Sequence, residues 1–137
     1  MEAQIDMGRR VGFLVGRFLL GLYFLIPGIT KITGWDGTAE YMAAHGVPLI
    51  SVLLPLTILI QVGGGIALMI GYRAALVAFV LAGLTLVINL YMHDFWNVTE
   101  AVAQAHETQN FVKNLAIFAG LLFVAGAHPL GGKANAN

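Results

Sequence analysis

The sequence contains no cysteine and few charged residues, and both shortages narrow what the protein can be. Without a thiol, the chain forms no disulfide, performs no thiol redox chemistry and binds no iron–sulfur cluster or zinc ion through thiolates. Charged residues make up 10% of the chain, whereas soluble domains contain about 25%. The formal charges cancel to zero, so no basic excess points to nucleic acid as a partner.

Apolar residues take the place of the missing charge. They make up 58% of the 137 residues, and the mean hydropathy is +0.82. Four apolar runs, at about 11–30, 48–70, 74–92 and 111–127, match the roughly 20 residues that a helix needs to cross a bilayer. They lack the alternation of membrane barrel strands. The sequence therefore predicts an all-α fold, with one transmembrane domain over residues 1–137.

The segments between the runs are short or polar. Residues 71–73 leave room only for a tight turn, which favours an up-down four-helix bundle. Between the first two runs, residues 38–45 are predicted to form a short amphipathic helix that ends at Gly46. The polar stretch 93–109 is expected to be partly helical and outside the membrane. Residues from about 130 to 137 are expected to form a disordered tail.

The basic residues predict the orientation. Arg9, Arg10, Arg73 and Lys133 fall on one side of a four-helix path, whereas the other side carries most of the acidic residues. Basic residues favour the cytoplasmic side of a membrane. We therefore expect a multi-pass protein of the inner (plasma) membrane with both termini in the cytoplasm.

Arg17 is a charge inside the first apolar run. It lies about 9 Å from the start of the run at the rise of a helix, and intramembrane charges commonly mark functional sites. Together with Gly21, Phe24, Gly28 and Lys31 it forms one stripe at helical spacing. Two interpretations stand: Arg17 extends to the lipid headgroups, or it makes a specific contact, for example with a partner subunit.

Gln61 is a polar amide near the middle of the second run, directly before three glycines at 63–65. An amide in that position must face another helix or a cavity, because exposure to hydrocarbon is costly. The glycines allow close helix packing. Gln61 is interpreted either as a hydrogen bond between helices or as a ligand contact.

Further polar residues gather where the third and fourth helices reach the outer side. Asn89 and His93 share one face, and Lys113 and Asn114 open the last run. One interpretation is an ordinary belt of aromatic and basic anchors. The other is a pocket suited to a quinone-like headgroup or a small anion.

The depth of these residues predicts a common site. Buried polar groups that converge on one cavity avoid most of the cost of facing lipid. We therefore predict one polar ligand-binding cavity in the outer half of the bundle, bordered by Gln61, Asn89, His93, Lys113 and Asn114, with Lys31 at its rim. No histidine lies inside an apolar run, so neither a metal, a haem nor a covalently bound cofactor is expected. No set of catalytic residues is recognised either.

Six short stretches occur in order along nearly the whole chain. They are Arg17 with Gly21, Pro27-Gly28-Ile29-Thr30-Lys31, Tyr41-Met42 through Gly46-Val47-Pro48, Gln61-Val62-Gly63-Gly64-Gly65, Gly71-Tyr72-Arg73-Ala74-Ala75 and Lys113-Asn114-Leu115-Ala116. Together they resemble the DoxX family of small four-helix membrane proteins. In that family a glutamate is common where this chain has Gln61. A glutamine exchanges no proton, so this departure argues against a proton relay at that position.

The resemblance implies an accessory or anchor subunit of a larger, redox- or quinone-linked membrane complex, not catalytic by itself. Quinone is then a possible cofactor, and the expected partners are membrane lipid and other membrane subunits. Two alternatives remain open from the residues. One is a small-molecule binding or transport protein, for a quinone-like compound or an anion, in which copies of this chain form a homo-oligomer. The other is a purely structural subunit of a membrane assembly.

Overall fold

The computed structural model describes residues 1–127, and the regular secondary structure within that range is entirely helical. Its five α-helices are α1 (Glu2–Thr33), α2 (Trp35–Ala44), α3 (Ile50–Ile70), α4 (Ala74–Met92) and α5 (Ala101–Ala127), with a 3-10 turn at Phe95–Asn97 and no strand among the described residues. Of these, α1, α3, α4 and α5 are long and apolar enough to cross a membrane. The predicted membrane four-helix bundle is confirmed. The predicted tail at about 130–137 lies outside the described residues.

Two of the helices extend beyond their apolar runs. α1 begins at Glu2 and α5 at Ala101, about ten residues before each predicted span. The start of α5 has a local cause: the Glu100 carboxylate accepts hydrogen bonds from the backbone N–H groups of Val102 at 3.0 Å and Ala103 at 2.7 Å. Such a cap satisfies donors that the first helical turn leaves free. Hydrophobicity therefore marks the lipid-crossing part of each helix and not its full length.

The short helix α2 begins three residues before the predicted segment at 38–45. Only Gly34 separates it from α1, and the φ of −107° and ψ of 39° at Gly34 interrupt the helix there. The helix ends at Ala44, and Gly46 follows with a φ of +70°. A left-handed conformation of this kind favours glycine and ends a helix.

The four long helices form two close pairs, α1 with α3 and α4 with α5. In the first pair Gly21 faces Gly65, and a methyl group added to Gly65 would lie 2.7 Å from the Gly21 carbonyl oxygen. Gly64 instead packs against Leu81 of α4, whereas Gly63 faces open space. Two of the three glycines therefore contact other helices, as small residues do in membrane bundles.

The two ends of the bundle differ. The short-turn end carries the turn between α3 and α4, and the long-loop end carries α2 and the connection between α4 and α5. The hydrophobic core consists mainly of residues in the short-turn half: Leu68, Ala74, Ala78, Leu81, Ala82, Leu121, Val124 and Ala125, with Phe24 nearer the middle. Many large apolar side chains point outward, where a membrane protein meets lipid.

Candidate functional site

A cavity of about 710 Å³ occupies the long-loop half of the bundle. It lies between the two helix pairs, and residues of α2 lie along its wall. Its lining is largely apolar, with Phe24, Met42, Leu53, Leu56, Ile60, Leu84, Val87, Ile88 and Met92. Its polar lining side chains are Tyr23, Thr30, Lys31, Thr38, Tyr41, Thr57, Gln61, Thr85, Tyr91, His93 and Asn114. An apolar wall with a few polar groups is typical of sites for small organic ligands.

Gln61 lies at the deep end of the cavity, where α1 and α3 are in close contact. A methyl group added to Gly28 would be 3.1 Å from the Gln61 Cβ, so α1 crosses directly over this residue. Gln61 is only 4% exposed. Its Oε1 atom has no hydrogen-bond partner among the described residues. A buried oxygen without a partner is costly, so the structure gives no support to Oε1 as an interhelical acceptor.

Lys31 lies one helical turn beyond Gly28, toward the long-loop end. Its side chain is half-buried, and its Nζ atom donates a long hydrogen bond of 3.5 Å to the Pro27 carbonyl. Lys31 forms no ion pair within residues 1–127. It is therefore a cation at the cavity wall without a neighbouring carboxylate in the described part of the chain.

Tyr23 and Asn114 connect α1 to α5. The Tyr23 hydroxyl donates to the Asn114 side-chain oxygen at 3.2 Å. Both residues, together with His93, also line a second cavity of about 430 Å³ that includes Asn110 and Lys113. This hydrogen bond therefore lies where the two cavities adjoin.

A hydrogen bond between side chains connects the end of α4 to α5 at the long-loop end. His93 Nδ1 and Glu107 Oε2 are 2.7 Å apart. Burial raises the pKa of the nearby Tyr41 phenol, and the carboxylates of Glu107 and Asp94 raise it further. Tyr41 is therefore a neutral hydrogen-bonding group at neutral pH, and α2 contributes it to the cavity wall.

The predicted set of site residues needs one correction. Gln61, His93, Asn114 and Lys31 do line one cavity, but Asn89 and Lys113 do not. Lys113 is exposed and borders only the smaller cavity, because consecutive residues point about 100° apart around a helix and Asn114 takes the inward position. Whether any of these residues binds a ligand stays a prediction.

Asn89 is 1% exposed and faces α5 rather than the cavity. Its Nδ2 atom donates to the Phe111 carbonyl at 3.1 Å, and its Oδ1 atom has no hydrogen-bond partner among the described residues. Spacing along α4 placed it correctly on the inner face. The spacing does not tell whether that face meets a cavity or a neighbouring helix.

Sequence reasoning missed several lining residues. Thr85 is buried, and its hydroxyl donates to the Leu81 carbonyl at 2.7 Å. It lies one turn before Asn89 within an apolar run, and that spacing was an available signal. The contribution of Tyr41 and Met42 had no comparable signal, because it depends on how α2 folds back over the bundle.

Arg17 lies apart from the cavity, in the short-turn half. A methyl group added to Gly71 would be 2.6 Å from Arg17 Nη1, so the guanidinium packs against the turn that ends α3. Its Cζ atom is also 6.0 Å from the centre of the Phe13 ring. A cation is favourable beside the C-terminal end of a helix. Arg17 therefore makes a specific contact with its own chain, and a partner contact stays a prediction.

Within residues 1–127 no three histidine or acidic side chains come together as they would to hold a metal ion. The side chains around the cavity instead offer hydroxyl, amide and ammonium groups. These groups bind and orient an organic ligand through hydrogen bonds. No nucleophile paired with a base is present among the lining residues.

Two curated proteins of Escherichia coli (strain K12) are similar to this chain over most of its length. Inner membrane protein YqjF is 40% identical over 119 residues, which are 87% of this chain and 85% of the relative. Inner membrane protein YphA is 30% identical over 121 residues, which are 88% of this chain and 86% of the relative. No solved structure matches the chain.

These inner-membrane relatives and the four apolar helices support a multi-pass protein of the inner membrane. The family model described as DoxX matches residues 12–94, from the lipid-crossing part of α1 to just beyond the end of α4. That range includes Gln61, Lys31 and His93 of the cavity wall. The chain therefore belongs to the DoxX family.

Proposed function

We propose that this protein binds a lipophilic small molecule with a compact polar head inside the membrane, with a quinone-like compound and an organic anion as the two candidate classes. The cavity of about 710 Å³ carries the proposal. Its apolar wall surrounds a buried amide whose oxygen lacks a partner among the described residues. A ligand or a water molecule at Gln61 would offset the cost of burying that atom.

The cavity has a side from which a lipophilic molecule can enter. Leu56 of α3 and Val87 and Tyr91 of α4 line the cavity and are also exposed on the outside of the bundle. These residues lie on α3 and α4, which belong to different helix pairs. A ligand dissolved in the bilayer reaches the cavity between them without crossing water.

The chemistry of the wall supports binding rather than catalysis. The amides of Gln61 and Asn114 offer hydrogen-bonding atoms but exchange no protons, and Tyr41 keeps its proton at neutral pH. The His93 ring, which also lines the cavity, is already hydrogen-bonded to Glu107. The chain therefore holds and orients its ligand, and any oxidation or reduction takes place on another protein. This division fits an accessory subunit of a redox complex.

One observation favours the accessory role as a second candidate function. Residues 1–12, almost all of them within α1, are exposed on every side within the described chain. This extension carries Glu2, Asp6, Arg9 and Arg10, and its length is about 15 Å over ten residues. A polar helix without a packing partner is a natural docking element. With the orientation predicted from the basic residues, it docks to a partner at the cytoplasmic surface.

The orientation is tested with reporter fusions. Fusions after residues 72 and 137 should both report a cytoplasmic location, because the basic residues gather on that side. A periplasmic report at residue 137 would overturn the proposed orientation. The long-loop end, with its cavity, would then face the cytoplasm.

Ligand binding is tested by narrowing the cavity. Leu84→Phe adds volume on the cavity wall, and Leu86→Phe adds the same volume on an exposed part of the same helix. Native mass spectrometry would follow binding of decyl-ubiquinone and of laurate to each purified variant. We expect Leu84→Phe to weaken binding by at least about tenfold and Leu86→Phe to leave it unchanged. If the wild-type protein retains neither probe, the proposed function is wrong.

The accessory role is tested with a photo-crosslinking residue. It is placed at Ile5, which is exposed on the extension, and at Val52, which is exposed on α3. We expect a protein adduct from Ile5 and only lipid adducts from Val52. Absence of any protein adduct from Ile5 in native membranes would contradict a docking role for the extension.

A further inference from the structure

We propose that Lys31 selects ligands with an anionic head, so that the natural occupant of the cavity is an amphiphile with an acidic head and an apolar tail. This inference rests on the proposed function and names the ligand class. It favours the organic anion over a neutral quinone. The argument depends on the charges at the cavity wall and on the position of the lateral opening.

The described lining of the cavity contains one lysine and no carboxylate. Among the described lining residues there is no aspartate, glutamate or arginine, and Lys31 is the one lysine. His93, the other basic side chain in the lining, is hydrogen-bonded to Glu107 at 2.7 Å. The carboxylates of Glu107 and Asp94 lie outside the lining, near Tyr41. Within the lining itself, the Lys31 ammonium is therefore the cation that can receive an anionic head.

The Lys31 ammonium also retains hydrogen-bonding capacity. Its hydrogen bond to the Pro27 carbonyl is 3.5 Å long, and an ammonium group has three donors. A half-buried cation next to an apolar wall loses hydration without gaining a counter-charge. A carboxylate or phosphate within hydrogen-bond distance of Nζ compensates for the lost hydration by a charge-assisted hydrogen bond. A neutral carbonyl compensates for less of it.

The geometry separates a place for the head from a place for the tail. Lys31 lies on α1, one turn from the Gly28–Gln61 contact. The exposed lining residues Leu56 and Val87 lie on two other helices, α3 and α4. A head at Lys31 therefore leaves the tail to run along the apolar wall and out between α3 and α4 into the bilayer.

Lys113 provides a matched control for an ordinary interfacial lysine. It lies near the same end of the bundle, but it is exposed and borders only the smaller cavity. If Lys31 merely interacted with surrounding headgroups, removal of either lysine would have the same small effect on binding. Selection of the ligand by Lys31 predicts an effect for Lys31 alone.

The test compares two molecules with the same tail. Laurate carries a carboxylate, and methyl laurate is its neutral ester. Native mass spectrometry at pH 8 would measure the binding of each to the wild-type protein and to Lys31→Ala, Lys31→Arg and Lys113→Ala. We expect wild-type protein to prefer laurate by about tenfold, the value for one charge-assisted contact. Lys31→Ala should abolish that preference, while Lys31→Arg and Lys113→Ala should retain it.

The outcomes separate this inference from the proposed function. If neither molecule binds the wild-type protein, the anionic selection is overturned, and the proposed function also falls only if decyl-ubiquinone fails to bind. If methyl laurate binds as tightly as laurate, the cavity is a ligand site but the anionic selection is overturned. A preference that survives in Lys31→Ala also overturns it. The comparison in the wild-type protein decides the question even if the alanine variant does not fold.

A final comparison identifies the source of the anion. The protein is reconstituted in nanodiscs of phosphatidylglycerol or of phosphatidylcholine, and laurate is then added. A phosphatidylglycerol adduct that laurate displaces supports an anionic membrane lipid as the occupant. Laurate binding without a phosphatidylglycerol adduct supports a free fatty acid. Adducts of phosphatidylcholine and phosphatidylglycerol in equal amounts, both unaffected by laurate, would contradict anionic selection.

Discussion

The short-turn half and the long-loop half of this bundle are built from the same four helices, yet one is closely packed and the other encloses a cavity. In the short-turn half small residues bring the helices together: Gly21 faces Gly65, and Ala78 of α4 is fully buried. In the long-loop half the buried positions of α4 are polar, with Thr85 and Asn89. Along the inner face of α4, the residues thus change within two turns from packing against other helices to lining the cavity.

The comparison teaches that close packing is local in a membrane bundle. No hydrophobic force draws helices together in lipid, so association depends on close contact and on hydrogen bonds. Where glycine and alanine end, the helix pairs separate and polar groups take over the inner face. A cavity open to lipid is therefore compatible with a stable bundle, because the other half holds the helices together.

The largest expected effect comes from making the same substitution in each half. Leu81 is fully buried in the core and packs on Gly64, whereas Leu84 is half-buried at the cavity wall. Leu81→Ala should lower the free energy of unfolding in detergent by about 2 kcal/mol or more. Leu84→Ala should lower it by less than about 1 kcal/mol, because the cavity wall is incompletely packed. Equal losses would contradict the difference between the two halves.

Two glycines in one turn give the next prediction. A methyl group at Gly65 would meet the Gly21 carbonyl oxygen and the Leu25 backbone nitrogen, whereas one at Gly63 meets nothing within 4 Å. Gly65→Ala should therefore destabilise the bundle by about 1–3 kcal/mol in thermal unfolding. Gly63→Ala should be neutral or slightly stabilising, since alanine favours the helix. A similar destabilisation by both would refute the close α1–α3 contact.

The sequence predicted the helices and the packed half better than the site. Apolar runs are long and unambiguous, and the stripe with Gly21, Phe24 and Gly28 is buried as its spacing indicated. The inward direction of Gln61 and Asn114 also followed from the cost of polar groups in lipid. The separation of Lys113 from the main cavity did not follow, because it depends on how far α5 is rotated about its axis.

A smaller effect is expected from the His93–Glu107 hydrogen bond at the long-loop end. His93 and Glu107 are both partly exposed, so their interaction contributes at most about 1 kcal/mol. Glu107→Gln should lower the unfolding temperature slightly, and Glu40→Gln, on the exposed side of α2, should not. A double-mutant cycle with His93→Gln measures the coupling. No coupling between the two substitutions would show that the pair does not hold α4 to α5.

The smallest effect is local and depends on pH. Hydrogen bonds from the Ala103 and Val102 amides lower the pKa of Glu100 from its ordinary value of 4.5. A lowered pKa means that the cap is fully formed above the ordinary value and is lost as the pH falls through the lowered one. As the solution is acidified, the hydrogen exchange of the backbone amides at the start of α5 in the wild-type protein should therefore approach that of the Glu100→Gln variant. Identical exchange of the two proteins at neutral pH would show that the cap is absent.

The most direct test of the account uses the absence of cysteine from the chain. Thr85 and Ala78 lie seven residues apart on the same buried face of α4, one at the cavity and one in the core. Two variants, each with a single cysteine (Thr85→Cys or Ala78→Cys), are treated with N-ethylmaleimide in native membranes. The same variants in unfolded form serve as the reference for complete reaction. The account predicts that Thr85→Cys reacts and Ala78→Cys stays protected. Equal protection of both would contradict an accessible cavity in the long-loop half.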